Sequence, residues 1–473
     1  MQHIDQLGIF WLADHPDDTL SGRLIFDPAD RAVRLTLIGA FSASSAEDSK
    51  LRILGWVGTD QITIENAYHA GRSARSPGLE ESYYRANQMF KGHHLEDAEL
   101  HFASTRFVLA DLSSWIGAKG SKFDRVTDDR GKTTYKIDYA LPESSEASFS
   151  RGRVSIVFGA TFENEATGDV AIKQSVAVRI DYGAQQPIRT IRKDVSRIQS
   201  LVILCTGAST ILDSFVVSRP EIKDRMLDGS ESTHSKLIEV LAAPINYIST
   251  EERKPQPVHR MLLTYGELGG TPAVARWIDE SKAFERPLEY FVSIRLAKQM
   301  YAQNRFLNAT FAAEAFHRIT VGGSRSADSD FRRILDECVR AVPQHHREWL
   351  ERELVHNDEP TLRQRLVALV KEADSCIRPI IGNSKRRARW AFTCSQVRNE
   401  VTHIGSRVDK IDGEDLFFLA ESVYDVVRIC LLLVAGAPVE VLERKAASYA
   451  TTWYKDRLWE RVEKLREMLM AGA

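Results

Sequence analysis

Between Gln396 and Gly405 the chain reads Gln-Val-Arg-Asn-Glu-Val-Thr-His-Ile-Gly. Arg398, Asn399 and His403 in that run are residue types that could together cleave a phosphodiester without a metal. Arginine stays charged at physiological pH and grips phosphate oxygens through two parallel N–H donors. Histidine titrates near neutrality, so it can remove a proton as a base or return one as an acid. Cleavage of RNA by its own 2′-hydroxyl needs that assortment. The 2′-hydroxyl loses its proton and attacks phosphorus, a fixed cation stabilises the phosphorane, and the departing 5′-oxygen is protonated. No metal and no cofactor is expected. The same arginine-to-histidine spacing occurs by chance in long chains, and it also describes a solvated helix end with a capping histidine.

The run must sit on a helix predicted over residues 384–404, with Ser384 as N-cap and Gly405 as terminator, which places His403 in the last turn. Asn399 and His403 are four residues apart and share a face. Arg398 and His403 are five apart, roughly 140° around the axis, so they do not point the same way. Two such helices crossing at a two-fold axis would pool their arginines and histidines in one cleft. Glu314 follows Phe311 by three residues and Leu307 by seven, on the apolar stripe of an earlier helix. A carboxylate buried there needs a partner; the alternative is a surface glutamate whose helix phase is slightly misjudged. Lys385, Arg386, Arg387 and Arg389 crowd the helix start, where their charge opposes the dipole. From 385 to 407 six cations face the single carboxylate of Glu400, a net +5 in a chain of net charge -2. Such a strip suits RNA phosphates; a solvated face or a contact for an acidic partner is the alternative.

The chain has 473 residues, 43% hydrophobic and 27% charged, which predicts two or three soluble domains. Five widely spaced cysteines with no CxxC pair argue against a disulfide framework or a zinc ribbon and suit a reducing cytoplasm. The start, MQHIDQLGIF, lacks the pattern of a signal peptide. Leu416–Val434 is the most apolar late stretch, but Glu421, Asp425 and Arg428 within it are costly in lipid, so a buried helix is expected and no membrane association. His93, His94 and His101 lie near Glu96, Asp97 and Glu99, yet adjacent histidines on a strand face opposite sides, so a metal site is not favoured. His345 and His346 are read the same way. His317 and Arg318 either line the cleft near Glu314 or are exposed. Asp14, Asp17 and Asp18 read as a turn. Walker, GxSxG, HExxH and dinucleotide fingerprints are absent.

The elements expected to position these residues make an α+β protein. Residues 1–185 are β-rich, with strands at 34–38, 61–65, 105–109, 134–138, 153–158 and 175–180 separated by turn residues, the pattern of an antiparallel sandwich or barrel. Residues 39–50 and 251–257 read as loops. Residues 186–286 form a mixed connecting region with a helix at 191–205 and a strand at 211–217. Residues 287–473 are all-α, with helices at 288–320, 327–342, 344–356, 359–374, 384–404, 412–435 and 438–470, and with Asp328 and Asp412 as further N-caps.

The string Arg398-Asn399-x-x-x-His403-Ile-Gly405, on the penultimate long helix of an all-helical region, resembles the RNxxxH signature of the HEPN superfamily. The segment from Asn304 to Arg318 is similar to the first helix of its ApeA-like branch. Gly8-Ile-Phe-Trp-Leu12, the Gly22-Arg-Leu strand, Ile64-Glu-Asn66, Lys91-Gly-His-His94 and Leu112-Ser-Ser-Trp115 resemble landmarks of the ApeA N-terminal domain. The likeness covers nearly the whole chain. It implies a sandwich-like N-terminal region and a C-terminal HEPN helical bundle. It also implies a metal-independent endoribonuclease that dimerises and leaves cyclic-phosphate ends in abortive anti-phage defence. The first-helix glutamate of the superfamily often steadies the motif arginine, which would assign Glu314 to Arg398. On that reading Arg398 binds the scissile phosphate, His403 carries the proton and Asn399 orients the site. The substrate is RNA, with transfer RNA the first guess, and the chain is a homodimer through its HEPN domain. Residues 1 to about 285 would sense a phage-derived trigger and restrain the C-terminal cleft, or else select the RNA. A non-catalytic HEPN module that dimerises or binds a nucleotide or RNA beside a partner protein is the alternative.

Overall fold

Strict alternation shapes the first elements. Strand β3 (Val33–Ile38) buries Val33, Leu35 and Leu37 and turns Arg34 and Ile38 to solvent, as a strand with one covered face must. With β1 (Ile4–Leu12), β2 (His15–Phe26), β4 (Leu51–Val57), β5 (Asp60–Ala74) and β6 (Glu80–Ala86) it forms an antiparallel ladder in the order β5-β4-β1-β2-β3-β6. Residues 68–74 of β5 then pair with β6, and the ladder closes into a six-stranded barrel. One strand serves both ends because a bulge between His69 and Gly71 redirects it. Phe10, Leu24, Phe26, Leu35, Ile53, Ile64 and Tyr84 belong to the buried cluster these strands share. Gly8 and Gly22 face each other across β1 and β2. A Cβ on either would stand 2.4 or 2.5 Å from a carbonyl oxygen of the next strand, so no side chain fits.

The sheet continues from β5 as an open antiparallel array. Its order is β7 (Gln88–Lys91), β17 (Ile238–Ala242), β14 (Leu212–Ser218), β8 (His101–Leu109), β13 (Val170–Pro187), β12 (Gly152–Asn164) and β11 (Ser145–Phe149). The alternatives of sandwich and barrel thus become a barrel fused to an open sheet. Helix α1 (Leu112–Ile116) buries Leu112 and Trp115, and α2 (Ile188–Thr206) packs on β8 and β13. The hairpins β9 (Ser121–Thr127) with β10 (Thr133–Tyr139), and β15 (Lys223–Arg225) with β16 (Glu231–Ser235), stand apart from the main sheet. Helices α3 (Tyr265–Leu268) and α4 (Gly270–Glu280) follow. The chain divides into compact units Met1–Asp279 and Glu280–Ala473. The segment expected as a connecting region therefore supplies α2, β14 and β17 to the first unit, because strands 14 and 17 complete its ladder.

The second unit is helical: α5 (Glu285–Leu296), α6 (Ala302–Thr320), α7 (Asp328–Ala341), α8 (Gln344–Leu354), α9 (Leu362–Glu372), α10 (Asp374–Ile381), α11 (Ser384–His403), α12 (Gly413–Val434), α13 (Val439–Tyr449) and α14 (Thr452–Met470). Helix α6 packs along α5, α9 and α12, and α11 packs against α9, α14 and α6. The expected helix 288–320 is two helices, broken where Ala297 turns extended. No Gly or Pro marks that break. Across it Asn308 donates to Ser293 at 3.0 Å, and Arg295 and Arg305 both reach Glu421. Helix α10 escaped prediction because it contains Pro379, which costs about 3 kcal/mol inside a helix. Burial of Cys376, Ile377, Ile380 and Ile381, at about 1.5–3 kcal/mol for each large aliphatic, outweighs that. Asp412 caps α12 through a capping box, whereas Asn383, one residue before the expected Ser384, caps α11 by accepting from Arg386 N at 3.1 Å.

This computed structural model describes residues 3–28, 32–42, 50–74, 77–164, 170–225, 228–242, 256–297, 299–322, 328–354, 359–403, 405, 407–449 and 452–471. Parts of the expected loops (43–49 and 251–255), Ile404 and the side chain of Asp328 lie outside the described residues. Among those described, no helix is long and apolar enough to cross a membrane. Helix α12 is buried along nearly its whole length.

Candidate active site

Helix α11 is fixed by its apolar stripe. Trp390, Cys394, Val397 and Val401 recur at helical spacing and are buried, and Trp390 Nε1 donates to Ser422 Oγ of α12 at 2.9 Å. Arg398 stands on the flank of that stripe. Across from it, α6 buries Phe306, Ala309, Ala312, Ala313 and Phe316 and so presents Glu314 on its own flank. Arg398 Nη2 meets Glu314 Oε1 at 3.4 Å, with both side chains about a quarter exposed at 24% and 25%. Glu314 is therefore at the edge of the core, not inside it as the Leu307–Phe311 stripe implied. Arg398 Nη1 lies 3.4 Å from Asn399 Oδ1. Both contacts are long, so a phosphate oxygen can displace either at little cost. The third donor, Arg398 Nε, is buried without a hydrogen-bond partner among the described residues.

Asn399 and His403 are exposed on one side of α11. The turn that ends the helix is built by Glu400. Gly405 N donates to Glu400 O at 2.8 Å, and the Glu400 carboxylate accepts from Arg407 N at 3.2 Å and pairs with the Arg407 guanidinium at 3.7 Å. Gly405 follows the helix end without adopting the left-handed backbone expected of a glycine terminator. A Cβ there would lie 2.0 Å from Glu400 Oε2.

The structure parts the basic strip from this site. Arg389 lies nine residues before Arg398, about 14 Å along the axis at 1.5 Å per residue, and Lys385 lies farther. Arg387 is paired with Asp374, Arg389 with Glu463 at 2.7 Å, and Arg386 stacks on Trp459 at 5.0 Å. Lys385 is exposed. Three of the four cations thus fasten α11 to α10 and α14.

His317, one turn after Glu314, neither lines a cleft nor is exposed. It is 2% exposed, and its Nδ1 lies 3.3 Å from Arg365 Nη1. Burial and the Arg365 charge hold its pKa below the ordinary value. Arg365 is itself buried, donates to Pro360 O and pairs with Glu359 at 2.9 Å, and Glu359 also takes Arg318 at 2.7 Å. This cluster behind Glu314 was missed. Its signal was a cation three residues after Leu362, on the stripe that buries Leu366, Leu369 and Val370. In the first unit, His94 bonds Gly55 O at 2.8 Å and stands edge-on to Trp11 and Trp56. Among the described residues no group of His, Cys, Asp and Glu is arranged to hold a metal ion.

The described geometry offers one cation for a phosphate and one exposed histidine for a proton in each chain. Comparison with known proteins agrees with the two-part architecture. The family model of ApeA N-terminal domain 1 matches residues 6–277, and that of the Apea-like HEPN domain matches residues 307–441, a span that includes Glu314, Arg398 and His403. No curated protein and no solved structure matches the chain. The chain belongs to the ApeA family, with an ApeA N-terminal domain 1 followed by an Apea-like HEPN domain.

Proposed function

We propose that the protein is a metal-independent endoribonuclease of abortive anti-phage defence, acting in the cytoplasm, with its cleavage site at Arg398 and His403. The observation that carries this reading is Arg398 held loosely by Glu314 beside exposed Asn399 and His403, within the segment that matches an Apea-like HEPN domain. In the reaction, one imidazole takes the 2′-hydroxyl proton as the 2′-oxygen bonds to phosphorus. The bond from phosphorus to the 5′-oxygen breaks, and a protonated imidazole delivers a proton to that oxygen. The ends are a 2′,3′-cyclic phosphate and a 5′-hydroxyl. Arg398 exchanges Glu314 for the phosphate, and Asn399 orients the group being transferred.

Acid and base are both needed, and each chain supplies one motif histidine. A homodimer that brings two α11 helices to its two-fold axis provides the pair. Transfer RNA is the proposed substrate, since cutting a few isoacceptors halts translation and arrests growth. The phage-derived trigger is assigned to residues 1–279. Cleavage of total RNA by the activated protein, with His403→Ala and Arg398→Ala beside it, tests the assignment. Full cutting by either variant removes these residues from the active site. Uncut RNA with every form of the activated protein favours a non-catalytic HEPN module.

A further inference from the structure

Where β5 leaves β4 and β7 to join β6, the first unit opens into a cleft of about 920 Å³. It is large enough for a small molecule of nucleotide size. One wall is the start of α2, whose first turn has no acidic residue and no side-chain cap. That turn instead begins Ile188-Arg-Thr-Ile-Arg-Lys193, which places cations at the positive end of the dipole, an arrangement that an anion would relieve. Arg192 faces the cleft. Gln88, nearly buried, holds it by accepting from Nη1 at 3.0 Å, and no carboxylate pairs with it among the described residues. Desolvation by the surrounding walls depresses its pKa. Lys50 adds a second cation on the rim. Of the two carboxylates of the cleft, Glu65 takes Arg52 at 2.7 Å, and Glu99 is offset by Arg189, a further lining cation, at 3.6 Å. The lining also includes Tyr68, an exposed ring, and Asn66, which adopts φ 53° and is the one left-handed non-glycine among the described residues.

We propose that this cleft binds a phosphorylated small molecule of nucleotide size, with Arg192 and Lys50 on the phosphates and Tyr68 stacked on the base. The site lies wholly within the first unit and is independent of the nuclease reading, because binding is measured without RNA. The test is calorimetric titration of the full chain with ADP, AMP and inorganic pyrophosphate. ADP is expected to bind, with pyrophosphate at least tenfold weaker. Arg192→Gln, which keeps an amide beside Gln88, should weaken ADP by about tenfold or more, the loss of one charge-assisted contact. Lys50→Gln, on the rim and remote from the core, should weaken it as well and carries the test if the first variant fails to fold. Arg153→Gln, in an exposed pair with Glu146, should bind as the parent does. The proposal is overturned by no binding of any of the three at millimolar concentration. Binding that both cleft variants leave unchanged, or pyrophosphate binding as tightly as ADP, overturns it too.

Discussion

At the scale of residues, the Arg398–Glu314 contact should matter to chemistry more than to stability. A partly exposed ion pair contributes about 0–1 kcal/mol, so Glu314→Gln should shift the melting temperature by little. The same change should lower the rate of RNA cleavage by about tenfold, since a misaimed cation no longer meets the phosphate. A cleavage rate equal to the parent's would remove Glu314 from the site. Gly405 offers a second check. Gly405→Ala brings a methyl against the end of the flexible Glu400 side chain, which can swing aside at the expense of its contacts with Arg407, so the cost should stay within about 1 kcal/mol. Thermal melts should show a small loss. A loss of several kcal/mol would mean that the backbone at Gly405 does not tolerate a side chain. Arg398, Asn399 and His403 were legible because their chemistry and spacing are local. Glu314 was legible from its phase on α6. Arg365 and His317 were not, since their meaning comes from α9 lying against α6. The structural work of Arg386, Arg387 and Arg389 was hidden for the same reason: Trp459, Asp374 and Glu463 come from distant stretches of chain.

At the scale of elements, α12 carries a buried charge group that links α5, α6 and α12. Arg295 pairs with Glu421 at 2.6 Å and stacks over Tyr424 at 3.9 Å, while Asp425 lies 3.9 Å from Arg428. Desolvation pushes the Asp425 carboxyl up to about 7, above its value in the unfolded chain. A raised folded pKa means that the stability this carboxyl contributes is fully present below pH 4 and is lost as pH rises to about 7. Asp425→Asn fixes the neutral form. It should raise the melting temperature at pH 8 by several degrees and change it little near pH 4. Equal shifts at the two pH values would show that the carboxyl is ionised in the fold throughout. The sequence made Glu421, Asp425 and Arg428 visible as charges on an apolar helix, but not their partner Arg295. That residue sits before the α5–α6 break, which has no proline or glycine to announce it. The strands were legible where polarity alternates, as in β3. Closure of the barrel was not, because it depends on one bulge in β5 and on a pairing between residues that alternation alone does not connect.

At the scale of the whole molecule, a nuclease that attacks host RNA must be silent before infection. Residues 1–279 form their own compact unit, and binding there can regulate cleavage only by favouring one state over another. If that unit restrains the proposed nuclease, residues 280–473 produced alone should be toxic in uninfected cells while the full chain is tolerated. If it selects RNA instead, the isolated unit should be harmless or weakly indiscriminate. An isolated unit that folds, dimerises and stays inert ends the restraint idea. Light scattering of the active protein should find a dimer; a monomer that cuts RNA would require a second proton carrier from within one chain. The two-part division was legible from the change of period, from alternation in the first half to helical spacing in the second. The placement of α2, β14 and β17 in the first unit was not, because a helix between strands reads equally well as a linker. The most direct measurement is RNA cleavage by the full chain isolated from phage-infected cells, in EDTA, read as new 5′-hydroxyl ends. The parent should produce those ends with the metal chelated, and Arg398→Ala and His403→Ala should each reduce them by about a hundredfold or more. Undiminished cutting by either variant, or loss of the parent's activity on chelation, would contradict the account.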